Sequence, residues 1–272
     1  MVFTTSYSMI NTEMTPKLSI ITVVKNDKDG LSRTLASIRA QRYSNREHIV
    51  IDGNSTDGTK AVIQAQHAAI SCSLSEPDDG LYDAMNKGIQ RATGDWIQFL
   101  NAGDVYASEQ SLEQVFLSLP KTAAFVYADT LLITERGTLV RYLPAPKLTR
   151  KTVTKGMIVC HQAMFIKRTR CPDYAVTYRY KADFNWVLDV INQLEPQEIT
   201  YVPEAVVQYR LGGFSQSQYK KHLLEYMKIV RCRYGMWMLV YRLPRIARRF
   251  LGETIRQFLG VPTLRFWRKK RG

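Results

Sequence analysis

Apolar positions in the first hundred residues alternate between two patterns. Leu18-Ser19-Ile20-Ile21-Thr22-Val23-Val24 is a near-continuous β-branched run, the mark of a strand covered on both faces. Beyond Lys25-Asn26-Asp27, Leu31, Leu35 and Ile38 recur at helical spacing as far as Gln41. His48 to Ile51 reads as a second buried strand. It runs into Asp52-Gly53-Asn54-Ser55-Thr56-Asp57-Gly58-Thr59, where Ser55, Thr56 or Asp57 can cap a helix carrying Ala61, Val62 and Ile63. Ser71 to Glu76 is a weaker third strand. Leu81 to Ile89 is a helix with Leu81, Met85 and Ile89 on one face. Trp96 to Leu100 is a fourth buried strand, stopped by Asn101-Ala102-Gly103-Asp104, since Gly and Asn tolerate a tight turn. Strands alternating with helices predict parallel βαβ units whose loops collect at one sheet edge.

The second half is less regular. Ala123 to Ile133 and Thr138 to Leu143 read as strands, Pro144 to Lys155 as a loop, and Cys160 to Ile166 as a strand entering the sheet. A helix opens near Asp183, with Leu188 and Ile191 continuing its apolar face. Ala205 to Val207 is a short strand before Gln208-Tyr209-Arg210-Leu211-Gly212-Gly213-Phe214-Ser215. The Gly pair there permits close backbone approach or a hinge. Tyr219 to Leu243 is a helix that Pro244 breaks, followed by a second basic helix, Arg245 to Leu259.

Charge changes the picture at the C-terminus. Of a net charge of +14 over 272 residues, +13 lies between Tyr219 and Gly272, where 15 Lys or Arg face only Glu225 and Glu253. The basic character therefore belongs to a tail and not to the body. Trp237, Phe250, Phe258, Phe266 and Trp267 are interleaved with it. That pattern suits the interface of an anionic membrane; a helix packed on the body and a nucleic-acid-binding tail are the competing readings. No nucleic-acid module is visible, so no nucleic-acid partner is expected. No secretory signal pattern and no apolar run of membrane-spanning length is seen. Cys72, Cys160, Cys171 and Cys232 are far apart, which argues against a zinc site or disulfide framework and fits a reducing compartment. With 45% hydrophobic and 11% aromatic residues, the chain can bury a substantial core.

The candidate chemistry sits in the predicted edge loops, where ligands of parallel sheets gather. No Gly-x-Gly-x-x-Gly and no Gly-Lys-Ser/Thr occurs in them, so neither a dinucleotide fold nor a P-loop is supported. Asp104 can face a ligand or metal, or be an ordinary turn acid. His161 can orient an acceptor or phosphate, or be structural. Asp183 stands in a first helical turn, where the dipole favours a carboxylate that merely caps.

Four motifs in order carry a resemblance: Thr22-Val23-Val24-Lys25-Asn26; Val50 through Thr59; Asp83-Ala84-Met85-Asn86-Lys87-Gly88; and Gly94 through Asp104. Together they resemble family 2 glycosyltransferases across about residues 17 to 215. The resemblance implies an α/β fold, the GT-A nucleotide-sugar-binding sandwich with a mainly parallel central sheet. It implies that Thr22, Val23 and Asn26 shape a nucleotide pocket with Asn101, that Asp52 contacts the base, and that Asp104 is the last acid of an Asp-x-Asp metal motif. It makes Asp183 the catalytic base, with His161, Lys87 and Asp79 as possible acceptor or phosphate contacts. The motif departs from the family's usual Asp-x-Asp-Asp, so Asp104 is left as the sole charged ligand for Mg2+ or Mn2+.

These readings predict an N-terminal extension (1–16), a catalytic domain (17–218, its nucleotide half 17–105 and acceptor half 106–218) and a basic amphipathic helical tail (219–272). The expected activity is inverting transfer, of hexosyl or N-acetylhexosaminyl type, from a nucleotide diphosphate sugar. The expected acceptor is a lipid-linked saccharide or glycan in bacterial surface polysaccharide synthesis, at the inner face of the plasma membrane. A non-catalytic nucleotide-sugar-binding or scaffold subunit is the alternative. A sugar-1-phosphate nucleotidyltransferase is weaker, since its Gly-rich, Arg-containing loop is absent after the first strand.

Overall fold

The computed structural model describes residues 15–117, 119–134, 137–210 and 219–259. The expected N-terminal extension lies almost wholly outside the described residues. The Gly212-Gly213 segment and the terminal Phe266 to Arg271 lie outside them altogether. The chain divides into two compact units, Met1–His222 and Leu223–Gly272.

In the first unit the four predicted βαβ strands form. They are β1 (Leu18–Val24), β2 (Arg46–Asp52), β3 (Cys72–Ser75) and β4 (Trp96–Phe99), with helices α1 (Lys28–Arg39), α2 (Thr59–Ala65) and α3 (Leu81–Arg91) between them. β1 pairs in parallel with β2 and β4, and β2 with β3. Every residue of β1 is buried, as a strand covered on both faces requires. The α2 cap differs from expectation. Gly58 occupies it in a left-handed conformation (φ 99°), and Asp57 instead accepts the Thr59 N–H at 3.0 Å.

The rest of the sheet is mixed. β5 (Val105–Tyr106), α4 (Ser111–Phe116), β6 (Phe125–Ile133), β7 (Leu139–Leu143), α5 (Arg150–Val153), β8 (Met164–Lys167), α6 (Ala182–Gln193) and β9 (Ile199–Arg210) follow in order. The strands run β3-β2-β1-β4-β8-β6-β9-β5 across the sheet, with β7 beside β6. β8 is antiparallel to both β4 and β6, and β9 is parallel to β6. The carboxyl ends of β1 to β4, β6 and β9 therefore share one edge, and β8 begins there. Two expectations are corrected. The strand foreseen over three residues at Ala205 extends over all of β9. The loop foreseen over Pro144 to Lys155 contains α5, whose Thr149 and Thr152 form a reciprocal capping box.

α3 lies hard against β1. A Cβ at Gly88 would stand 2.4 Å from Cγ2 of the fully buried Ile21. Gly88→Ala is therefore expected to destabilise the protein by about 1–3 kcal/mol through overpacking. A urea midpoint equal to the parent's would show that α3 yields freely.

α7 (Tyr219–Leu259) begins in the first unit and continues through the second. Its break falls at Gly235 (φ 79°, ψ 175°), a backbone state open to glycine, while Pro244 lies inside the continuing helix. The break foreseen at Pro244 is thus moved nine residues earlier. No helix among the described residues is long and apolar enough to cross a membrane. The four cysteines are free.

Candidate active site

The loop after β4 is held by α1. Asn101 carbonyl accepts the Asp104 N–H (3.0 Å), and Gly103 takes a φ of 95°. Thr34 of α1 accepts the Gly103 N–H (3.1 Å) and donates to the Asp104 carbonyl (2.8 Å). One buried hydroxyl thus sets the shape of the Asn-Ala-Gly-Asp turn. Asp27 caps α1 by accepting the Gly30 N–H (2.8 Å), and its carboxylate passes close to Gly103, with Oδ2 3.6 Å from where a Cβ would stand there.

Asp104 is 6% exposed. Its Oδ1 accepts the Arg210 backbone N–H (3.2 Å) from the end of β9. Burial pushes its carboxyl up to about 7; the Arg210 N–H, Gln162 and the Arg210 charge oppose this, and Asp27 reinforces it. Arg210 further ties the turn by donating from Nε to the Gly103 carbonyl (3.4 Å).

The nucleotide-side residues form a linked set of loops. Thr22 is fully buried and donates to the Leu100 carbonyl (2.8 Å), so His48 Nε2, at 2.9 Å, must donate to Thr22. Burial lowers His48 to about 3, and the charge of Arg46 adds to the effect, so the ring is neutral. The Thr22 hydroxyl is therefore committed to joining β1, β2 and β4. Val23 is buried and accepts the Ala102 N–H through its carbonyl (3.2 Å). Asn26, exposed at a positive φ of 51°, donates its N–H to Ser55 Oγ (2.7 Å) and accepts the Thr56 N–H (2.8 Å). Asp52 is fully buried. Its carboxylate takes the Ser55 N–H and hydroxyl and the Ser75 hydroxyl. Asp78 carries a carboxylate against Gly53, 2.1 Å from where a Cβ would stand, and pairs with Lys25 at 3.8 Å.

Lys87 binds Glu76 (2.9 Å), Asp83 (3.1 Å) and the Pro77 carbonyl (2.9 Å), which fastens α3 to the loop carrying Asp79. Asp79 is exposed, and its N–H donates to Asp83 (3.2 Å). His161, in a 3-10 turn before β8, stacks on Phe99 (5.3 Å, 25°) and meets Tyr174 Oη at 2.6 Å. Burial lowers it to about 4, against the raising influence of the Asp183 charge. Nε2 is thus occupied inside an aromatic cluster. Asp183, half-buried in the first turn of α6, accepts the N–H of Phe184 (2.7 Å).

The donor chemistry suits a hard cation. Asn101 Oδ1 is a buried oxygen with no hydrogen-bond partner, three positions before Asp104. Among the described residues no group of three or more His, Cys, Asp or Glu could hold a metal unaided. An oxygen-seeking ion that keeps waters and takes diphosphate oxygens needs fewer protein ligands, so the residues fit Mg2+ or Mn2+.

Thr34, Gln162, Arg210, Asp27 and Asp78 were not singled out from the sequence. Asp27 and Asp78 each sit three residues after a strand, a signal that could have found them. The other three act across 58 to 107 positions and leave no local trace.

The sheet order and this edge define an α/β fold with a mainly parallel central sheet that recurs in solved glycosyltransferases. TarS from S. aureus in complex with UDP-GlcNAc matches with a TM-score of 0.62 and 15% identity, over 79% of this chain and 66% of that one. This chain therefore spans just under two thirds of that solved chain. The mannosyltransferase PcManGT from Pyrobaculum calidifontis, solved with GDP-Man and Mn2+, matches at 0.59 and 14%, over 89% and 81%. A "PGL/p-HBAD biosynthesis glycosyltransferase" of Mycobacterium bovis is 30% identical over 270 residues, 94% of this chain and 99% of that one. The family model for glycosyl transferase family 2 matches residues 19–172. The chain belongs to glycosyl transferase family 2 and has the GT-A fold.

Proposed function

We propose that the protein is an inverting glycosyltransferase that uses a nucleotide diphosphate sugar to extend a lipid-linked saccharide or glycan in bacterial surface polysaccharide or glycolipid assembly. The observation that carries this is the Asn101–Asp104 turn at the ligand-gathering edge of the sheet, where Thr34 and Arg210 fix a buried Asp104 carboxylate and Asn101 Oδ1 is left without a partner. Asp183 takes the proton of the acceptor hydroxyl. The oxygen attacks the anomeric carbon, the bond to the diphosphate breaks with its electron pair, and a single displacement inverts configuration. Asp104 and Asn101 would hold the divalent ion, which when bound supplies positive charge against the leaving diphosphate. The ends of β1 and β2 at Val23 and Asp52, with the loops of Asn26 and Asp78, enclose the nucleoside. Asp52, with both oxygens engaged, acts by fixing the loop around Ser55 and Ser75. A panel of hexosyl and N-acetylhexosaminyl nucleotide sugars, incubated with and without manganese, tests the reading. It should single out one donor hydrolysed only with the metal. Tight binding with no turnover of any donor would indicate the non-catalytic subunit instead.

The tail is assigned to an anionic membrane surface on the cytoplasmic side. Support comes from the second unit, where Trp237 is 87% and Tyr241 76% exposed, with Met236, Val240 and Leu243 also exposed. Lys228, Arg231 and Arg233 are exposed on the same helix. Each basic residue near an anionic surface contributes about 1 kcal/mol, and the aromatics add an apolar share that salt does not screen. The full chain should cosediment with anionic vesicles, more weakly but still detectably in high salt, and a form ending at Gln218 should not. Equal partitioning of the two forms would refute docking by the tail.

A further inference from the structure

The donor-side face of α3 is accounted for by Lys87, but its neighbour Asn86 does something else. Asn86 Oδ1 accepts the Tyr174 N–H (2.7 Å) and its Nδ2 donates to the Tyr174 carbonyl (3.0 Å), across 88 positions. This is the pairing one strand residue offers another, supplied here by a side chain. Tyr82, one turn earlier, stacks on the Tyr174 ring (5.4 Å), and its hydroxyl reaches the Tyr180 carbonyl (3.5 Å). Tyr174 also stacks on Trp186 of α6 (5.3 Å, 14°), whose Nε1 donates to the Pro172 carbonyl (2.7 Å). Residues 172–181 contain no helix or strand, and they lead directly into α6, whose second residue is Asp183. An irregular segment has no ladder to fix it, so its geometry depends on such side-chain clamps.

We propose that Asn86 is a positioning residue for glycosyl transfer: its amide fixes the Tyr174 main chain, and with it the segment that delivers Asp183 to the sheet edge. This rests on the reading of Asp183 as the base. Since Lys87 fastens the donor-side loop at the next position, α3 is the common mount of donor loop and base. A displacement of about 1 Å in such a group costs on the order of a hundredfold in rate.

The test compares the full-length parent with Asn86→Ala, Asn86→Asp and Asp183→Asn. It follows nucleotide diphosphate release from the donor selected by the panel, below the unfolding temperature of every variant. Asn86→Ala should lose roughly tenfold to a hundredfold in kcat with donor KM within about twofold. Asn86→Asp keeps the acceptor for the Tyr174 N–H but turns a carboxylate oxygen on its carbonyl. Protonation restores a donor, and the facing Tyr174 carbonyl raises the new carboxyl above the ordinary Asp range, so its kcat relative to the parent should improve as pH is lowered toward about 5. A purely structural role would lower the folded fraction without that recovery. Unchanged kcat in Asn86→Ala, a loss confined to donor KM, or a flat pH ratio for Asn86→Asp overturns the positioning role while Asp183→Asn stays inactive. Full activity in Asp183→Asn removes the base, and the proposal falls with it by a different signature.

Discussion

Asp183→Asn is expected to fold and bind donor as the parent does, yet lose transfer by about a hundredfold to ten-thousandfold. The amide is nearly isosteric and still offers an oxygen to the Phe184 N–H, so the first turn of α6 keeps its contact. Only the helix-dipole contribution of the charge is lost, about 0.3–1 kcal/mol at most. An amide cannot accept the acceptor's proton, so the loss should appear in kcat and not in donor affinity. Calorimetry with the nucleotide diphosphate and turnover on the same preparation separate the two. Retained transfer would hand the role to another acid, with Asp79 and then Asp173, in the irregular segment before α6, next in line.

Asp104→Asn should lower turnover by on the order of a hundredfold or more, because the diphosphate loses the charge that clamps it. Stability should hold or rise. The parent carboxylate is buried, with its carboxyl pushed up to about 7, and replacing it removes the desolvation of a charge while an oxygen remains for the Arg210 N–H. This opposite movement of stability and activity distinguishes a ligand from a packing acid. Full turnover of the parent in excess chelator would sink the metal assignment. Full turnover of Asp104→Asn would leave Asp104 as a strut between the β4 loop and β9.

β1, β2 and β4 were legible because each carries an apolar run flanked by helices of clear period, while β3, Cys-Ser-Leu-Ser, showed only weakly. β9 was not. Pro203 and Glu204 interrupt its apolar pattern, and the pairing shows why they are tolerated: Ala128 faces Val202 and Asp129 faces Ala205, so the two residues are skipped in a bulge. In the tail, Pro244 gave the stronger breaking signal, yet Gly235 takes the conformation that breaks the helix. At the site, Asp52, Asp104 and Asp183 were legible as acids at strand ends or a helix start. Their surroundings were not. That Asp52 spends both oxygens on Ser55 and Ser75, and that His161 Nε2 is closed off by Tyr174, follow from contacts a single sequence does not display.

β8 has a consequence for how the chain is made. It is the four-residue strand that joins the parallel half to β6, and it is synthesised long after both neighbours. Until residue 167 has emerged, β4 and β6 each present a bare row of amides and carbonyls, an invitation to pair with the wrong chain. The contacts that close the sheet are non-local, so closure is slow and comes late. A nascent chain halted between β6 and β8 is therefore expected to expose both of these edges at once, a length at which chaperones have work to do.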